Sequence, residues 1–147
     1  VYGIALFLHI LAATIWTGGH IVLSVVILPK VLKSRSAEQL LEFESVYEKI
    51  GMPALIIQVI TGLWLAFNLL PDVEQWFDLS NPLAHGILGK LSLLGLTLCF
   101  ALDARFRVIP SLRSETLVDM AWHIVPVTLF SIMFVAVGVS FRAGWLY

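Results

Sequence analysis

The chain has 147 residues, 59% of them hydrophobic and 13% charged, with a formal net charge of −1. Soluble domains average about 25% charged residues, and the apolar residues here lie in long blocks, so residues 1–147 read as a single domain embedded in a membrane. The near-zero charge excludes a nucleic-acid binder driven by bulk electrostatics, and the lone cysteine, Cys99, excludes an internal disulfide or a thiolate metal cluster.

The first apolar block predicts a helix over residues 2–32. It exceeds the roughly 20 residues needed to span a bilayer, and no small-residue cleavage site ends it, so it is expected to be retained. Pro29 falls near its end. In the polar stretch 30–49, Leu40, Phe43, Tyr47 and Ile50 recur at three- and four-residue spacing between Glu38, Glu42, Glu44, Glu48 and Lys49. That is an amphipathic helix, expected to extend the second spanning helix, residues 52–70, which stops before Pro71. The connection 71–81 is acidic and aromatic. Asn81 and Pro82 form a cap and a first helical position, opening a third helix that runs to about residue 104. A fourth covers residues 115–141, and Pro126 inside it is expected to kink it. The fold class is all-α: a four-helix transmembrane bundle, up-down-up-down, with an amphipathic extension before the second helix.

Seven of the nine Lys and Arg fall in the connections 30–49 and 105–113, and none in 71–81. The positive-inside rule then places those two connections in the cytoplasm and both termini outside, as for a protein of the bacterial inner membrane. Trp76, Trp145 and Tyr147 are expected to form an outer aromatic belt.

All four histidines, His9, His20, His85 and His123, lie in or at the edge of these blocks. His9 and His20 are eleven residues apart, which puts both on nearly one face of the first helix, about 16 Å apart along its axis. Ionisable side chains within a membrane are functional candidates by default. By depth along the helices they divide into an outer pair, His9 and His85, and an inner pair, His20 and His123. His85 falls roughly 7 Å short of His9. Neutral imidazoles at matched depth on two helices suit bis-histidine haem b, one group per pair. Gly18 and Gly19 beside His20, and Gly86 and Gly89 near His85, would make room for a porphyrin or for close helix packing. Lys90, the only lysine inside a membrane block, matches His9 in depth better than His85 does. It would snorkel outward or pair with a haem propionate, a substrate carboxylate or an acidic loop residue.

The stretch Leu8-His9-Ile10-Leu11-Ala12-Ala13-Thr14-Ile15-Trp16-Thr17-Gly18-Gly19 resembles the first helix of the copper resistance protein D (CopD) membrane domain. It is also similar to that of the HemJ type of protoporphyrinogen oxidase, a haem-b protein in which a helix-1 His and a helix-3 Lys matter. By that resemblance His9 and Lys90 are the counterparts, Lys90 becomes a possible catalytic residue, and Trp16 and Gly19 join the cofactor-binding candidates. The HemJ pattern leaves His20 and His123 unexplained. The leading expectation is a b-type cytochrome carrying electrons within or across the bilayer on one or two haems. The alternatives are a HemJ-like protoporphyrinogen or quinol oxidoreductase, and a CopD-like copper transport or resistance protein without haem. Against copper, the three methionines, Met52, Met120 and Met133, form no Met-x-x-x-Met ladder of soft ligands. Expected partners are membrane lipid, a quinone or redox protein, and a second copy of the chain.

Overall fold

A computed structural model describes residues 1–145. Four helices are long and apolar enough to cross a membrane: α1, Tyr2–Ser34; α2, Ala37–Leu69; α3, Pro82–Ser111; and α4, Leu117–Ala143. The amphipathic segment is continuous with the second spanning helix, so α2 is a single element with Pro53 inside it. Side chains such as Ile4, Phe7, Ile60, Leu129 and Met133 stand exposed around the outside of the bundle, as lipid-facing positions should. The chain is therefore an integral membrane protein of all-α class.

Two prolines mark the basic end of the bundle. Each follows a π-helical turn, Leu23–Ile27 before Pro29 and Ala104–Val108 before Pro110. Proline lacks an N–H, so the regular ladder cannot continue through it. The widened turn moves the bonding register, with the Leu28 N–H reaching Leu23 O and the Ile109 N–H reaching Ala104 O. Helix starts follow local chemistry. Ser36 Oγ accepts from the Gln39 N–H, and Asn81 Oδ1 accepts from the Leu83 N–H with Pro82 in the first turn. Arg35 and Gly144 end their helices in the left-handed conformation.

The acidic connection holds a short 3₁₀ turn, Val73–Phe77. Trp76 is not a belt residue. Its ring is buried against Phe67 and its indole N–H donates to Leu70 O at 2.8 Å, so it plugs the end of the bundle. Trp145 is exposed, and the expected belt residue Tyr147 lies outside the described residues. Ser80 donates to Asp78 from its hydroxyl and its N–H, and those bonds hold the Asp78 carboxyl below the usual carboxylate range.

The helices form an incomplete ring. α1 packs along α2 and against α4, and α3 packs along α4, whereas α2 and α3 share no comparable seam. α1 and α3 sit on a diagonal. At the basic end all four helices contribute to one apolar cluster, through Val31, Leu40, Val108 and Met120 among others. Trp16, Leu55 and Val127 form a second cluster nearer the middle. At the acidic end, Leu70, Trp76, Ala84 and Ile87 pack together beside Phe141.

Close approach explains Gly86. A Cβ there would lie 2.5 Å from the Phe141 ring, whereas one on Gly95 would meet nothing within 4 Å. Gly86→Ala should therefore cost at least about 1 kcal/mol through overpacking, while Gly95→Ala should be neutral or mildly stabilising, since Ala is the better helix former. Thermal unfolding of the two variants in one detergent checks this. Equal stabilities would refute the packing account.

Candidate functional site

His20 and His123 reach one site because α1 and α4 are neighbours. A cavity of about 340 Å³ lies between the basic-end cluster and the central cluster, lined by residues of all four helices. α1 contributes Trp16 and His20. α2 contributes Glu44, Tyr47, Glu48 and Met52. α3 contributes Phe100, Leu102 and Arg105, and α4 contributes Met120 and His123. On the side where α2 and α3 leave a gap, one ion pair spans it: Arg105 Nη1 lies 3.2 Å from Glu48 Oε2. Both side chains are well exposed, so the pair stabilises the bundle by no more than about 1 kcal/mol.

The His20 ring is tightly specified. Its Nδ1–H donates to Trp16 O at 2.9 Å. A carbonyl can only accept, so Nδ1 carries the proton and Nε2 keeps its lone pair. The ring also lies against the Trp16 indole, with centroids 4.4 Å apart, and edge-on to Tyr47 at 5.6 Å. A buried imidazole held at Nδ1 by a backbone carbonyl is poised to ligate through Nε2.

His123 is committed at both nitrogens. Nδ1–H donates to Asp119 O at 2.7 Å, and Nε2–H donates to Asp103 Oδ2 at 2.6 Å. Asp103 also accepts from Arg107. Any ligand bound through His123 Nε2 must displace Asp103. Phe100 packs edge-on to the ring at 5.6 Å. Among the described residues no cluster of three or more His, Cys, Asp and Glu is arranged to hold a metal ion.

The outer pair is not built the same way. His85 is exposed, and its Nε2–H donates to Leu79 O at 2.7 Å in the acidic connection. His9 faces α2. The Thr61 hydroxyl donates to Ile57 O, so it accepts from His9 Nδ1–H at 3.0 Å. The imidazole edge lies close to Gly62. Lys90 lies across α4, its Nζ 5.9 Å from the centre of the Phe141 ring and next to the space left by Gly138, within cation–π range. Among the described residues, His20 and His123 line one cavity, whereas His9 and His85 bond to different neighbours, α2 and the acidic connection.

Of the two uses expected for the glycines, close helix packing is the one seen at Gly19 and Gly86. Gly19 makes room for Tyr47, since a Cβ there would lie 2.1 Å from its ring, and Gly18 faces open space. Tyr47, Met52, Met120 and Asp103 were not among the residues singled out for a site. The one available signal was the three-residue spacing of Met120 and His123, which puts both on one helix face. Met52 is remote in sequence, and only the fold brings it to the same cavity. Met133 is exposed on the outside.

Comparison with known proteins adds one finding. Residues 41–142 match the family model described as copper resistance protein D. No curated protein and no solved structure matches the chain. The match covers α2, α3 and α4 and leaves out the α1 motif that suggested the resemblance, and nothing in it extends to the HemJ type of oxidase. Since it covers well over half of the chain, this membrane protein belongs to the copper resistance protein D family.

Proposed function

We propose that this chain handles copper in the membrane, taking copper(I) as cargo at the cavity between α1 and α4. The observation that carries the reading is that His20, His123 and Met120 line that one cavity, with the half-exposed Met52 also among its lining residues. Copper(I) is soft and favours thioether and imidazole donors. His20 offers a free Nε2, and Met120 lies on the same face as His123, one turn away. His123 joins when its Nε2 proton passes to the Asp103 carboxylate and the freed nitrogen turns to the metal, which suits a site that loads and unloads. The family assignment supports the same direction.

The size of the cavity favours a second reading. About 340 Å³ falls in the range of small-molecule sites and exceeds what a bare ion needs. His20 and His123 would hold a haem b through their Nε2 atoms, and Arg105, paired with Glu48, is the basic side chain lining the cavity. Bound there, the haem would supply one-electron chemistry. The residues fit this group in kind, and here too Asp103 must first release His123.

Copper(I) titration of the purified protein against a competing chelator tests the first reading. A single copper should bind, and His20→Ala, His123→Ala and Met120→Leu should each weaken it about 10-fold or more. His85→Ala should have no effect, because His85 bonds to the acidic connection. A purified protein that takes no copper(I), but shows a Soret band lost in His20→Ala, would replace copper with haem.

Orientation belongs to the same proposal. The basic connections are assigned to the cytoplasm of a bacterial inner membrane and the acidic connection to the outside. Asp72→Cys in a Cys99→Ser background should react with an impermeant maleimide in intact cells. Labelling confined to inverted vesicles would reverse the orientation.

A further inference from the structure

Tyr47 lies on the apolar face of the amphipathic segment with Leu40 and Phe43, and unlike them it carries a hydroxyl into the site. It sits four residues before Gly51, and its ring is buried against α1. Two glycines from two helices make this possible. A Cβ on Gly19 would lie 2.1 Å from the ring, and one on Gly51 would lie 2.9 Å from it. Phe43 stacks on the ring from one turn earlier, with centroids 5.9 Å apart. The aromatic plane is thus held from several sides.

The hydroxyl end meets the site. Tyr47 O–H donates to Trp16 O at 3.0 Å, with Ile15 O at 3.3 Å as a second acceptor. Trp16 O is the same carbonyl that accepts from His20 Nδ1–H. The phenol oxygen is also 3.4 Å from His20 Nδ1, so its lone pairs face the same N–H. The imidazole and the phenol meet edge to face, with centroids 5.6 Å apart. His20, Trp16 O and Tyr47 therefore form one closed arrangement in which only the Nδ1–H form of His20 satisfies every group.

We propose that Tyr47 is a positioning residue: clamped between Gly19 and Gly51, it fixes the ring and the tautomer of His20 so that Nε2 is the ligating atom. Tyr47 touches no cargo in this role. It acts through His20, and its effect on copper(I) rests on the functional reading given above.

Tyr47→Phe keeps the clamped ring and removes only the hydroxyl. In the full chain labelled with ¹⁵N-histidine and free of metal, the His20 nitrogens, assigned by their loss in His20→Ala, should report a single neutral form with the proton on Nδ1. Tyr47→Phe should broaden or shift them toward a mixture of forms. Gly51→Ala retains the hydroxyl but displaces the ring, and it should produce the same change. For cargo, Tyr47→Phe should weaken copper(I) binding about 10-fold, the usual effect of losing a partner that orients a ligand. In a His20→Ala background it should have no further effect. His20 signals left unchanged by both variants would overturn the proposal, as would an equal loss of affinity in the His20→Ala background. If the wild-type chain binds no copper(I), the functional reading fails, and the nitrogen spectra alone decide the role of Tyr47.

Discussion

Hydroxyl groups join α1 to α4, and the candidate site depends on that seam. Lipid offers no hydrophobic drive for one helix to leave it for another, so small residues and interhelical hydrogen bonds decide which helices meet. Here Thr17 donates to Ser131 O at 3.4 Å, Thr128 lies 3.1 Å from His20 O, and Ser24 shares a hydrogen bond with Thr128. Such bonds average about 0.6 kcal/mol each in membranes, too little to build a bundle but enough to select a neighbour and a register. The Thr128 contact reaches the backbone of His20 itself. The seam that orders the bundle thereby brings the two imidazoles to one cavity.

The other faces of the ring differ in kind. α1 and α2 approach through glycine, with Tyr47 filling the space at Gly19 and His9 lying against Gly62. α3 and α4 interlock through Gly86 and Phe141, and through Lys90 and Gly138. Only α2 and α3 lack a packed seam, and a single exposed ion pair crosses between them at the cavity. The basic end is still closed by apolar side chains from all four helices. The cavity thus lies in a bundle that is tied at its end and loosely joined along one side, an arrangement suited to letting something in without unfolding.

The family match contains Met52, Met120 and His123 of the site and leaves out His20. The match to copper resistance protein D runs through α2, α3 and α4. The soft-ligand argument needs α1, because His20 and its supporting carbonyl at Trp16 come from there. Depth matching paired His20 with His123, and both line one cavity.

Four spans and the uneven distribution of charge were legible in the sequence, because block length, capping residues and Lys/Arg placement act locally, but α3 runs on to Ser111, past the expected end near residue 104. Asn81 and Pro82 begin α3 as their chemistry requires, and residues 37–50 extend α2 as their periodicity implies. Height along each helix was also legible, since rise per residue is constant, and it paired His20 with His123. The order of the helices around the ring was not. Rise says nothing about azimuth between elements, so His9 and His85 looked like partners although their helices are diagonal. For the same reason the three methionines looked scattered, although Met52 and Met120 line one cavity. The glycines could not show whether a cofactor or a side chain would fill the space beside them. Contacts between distant elements decided that Tyr47 fills it at Gly19.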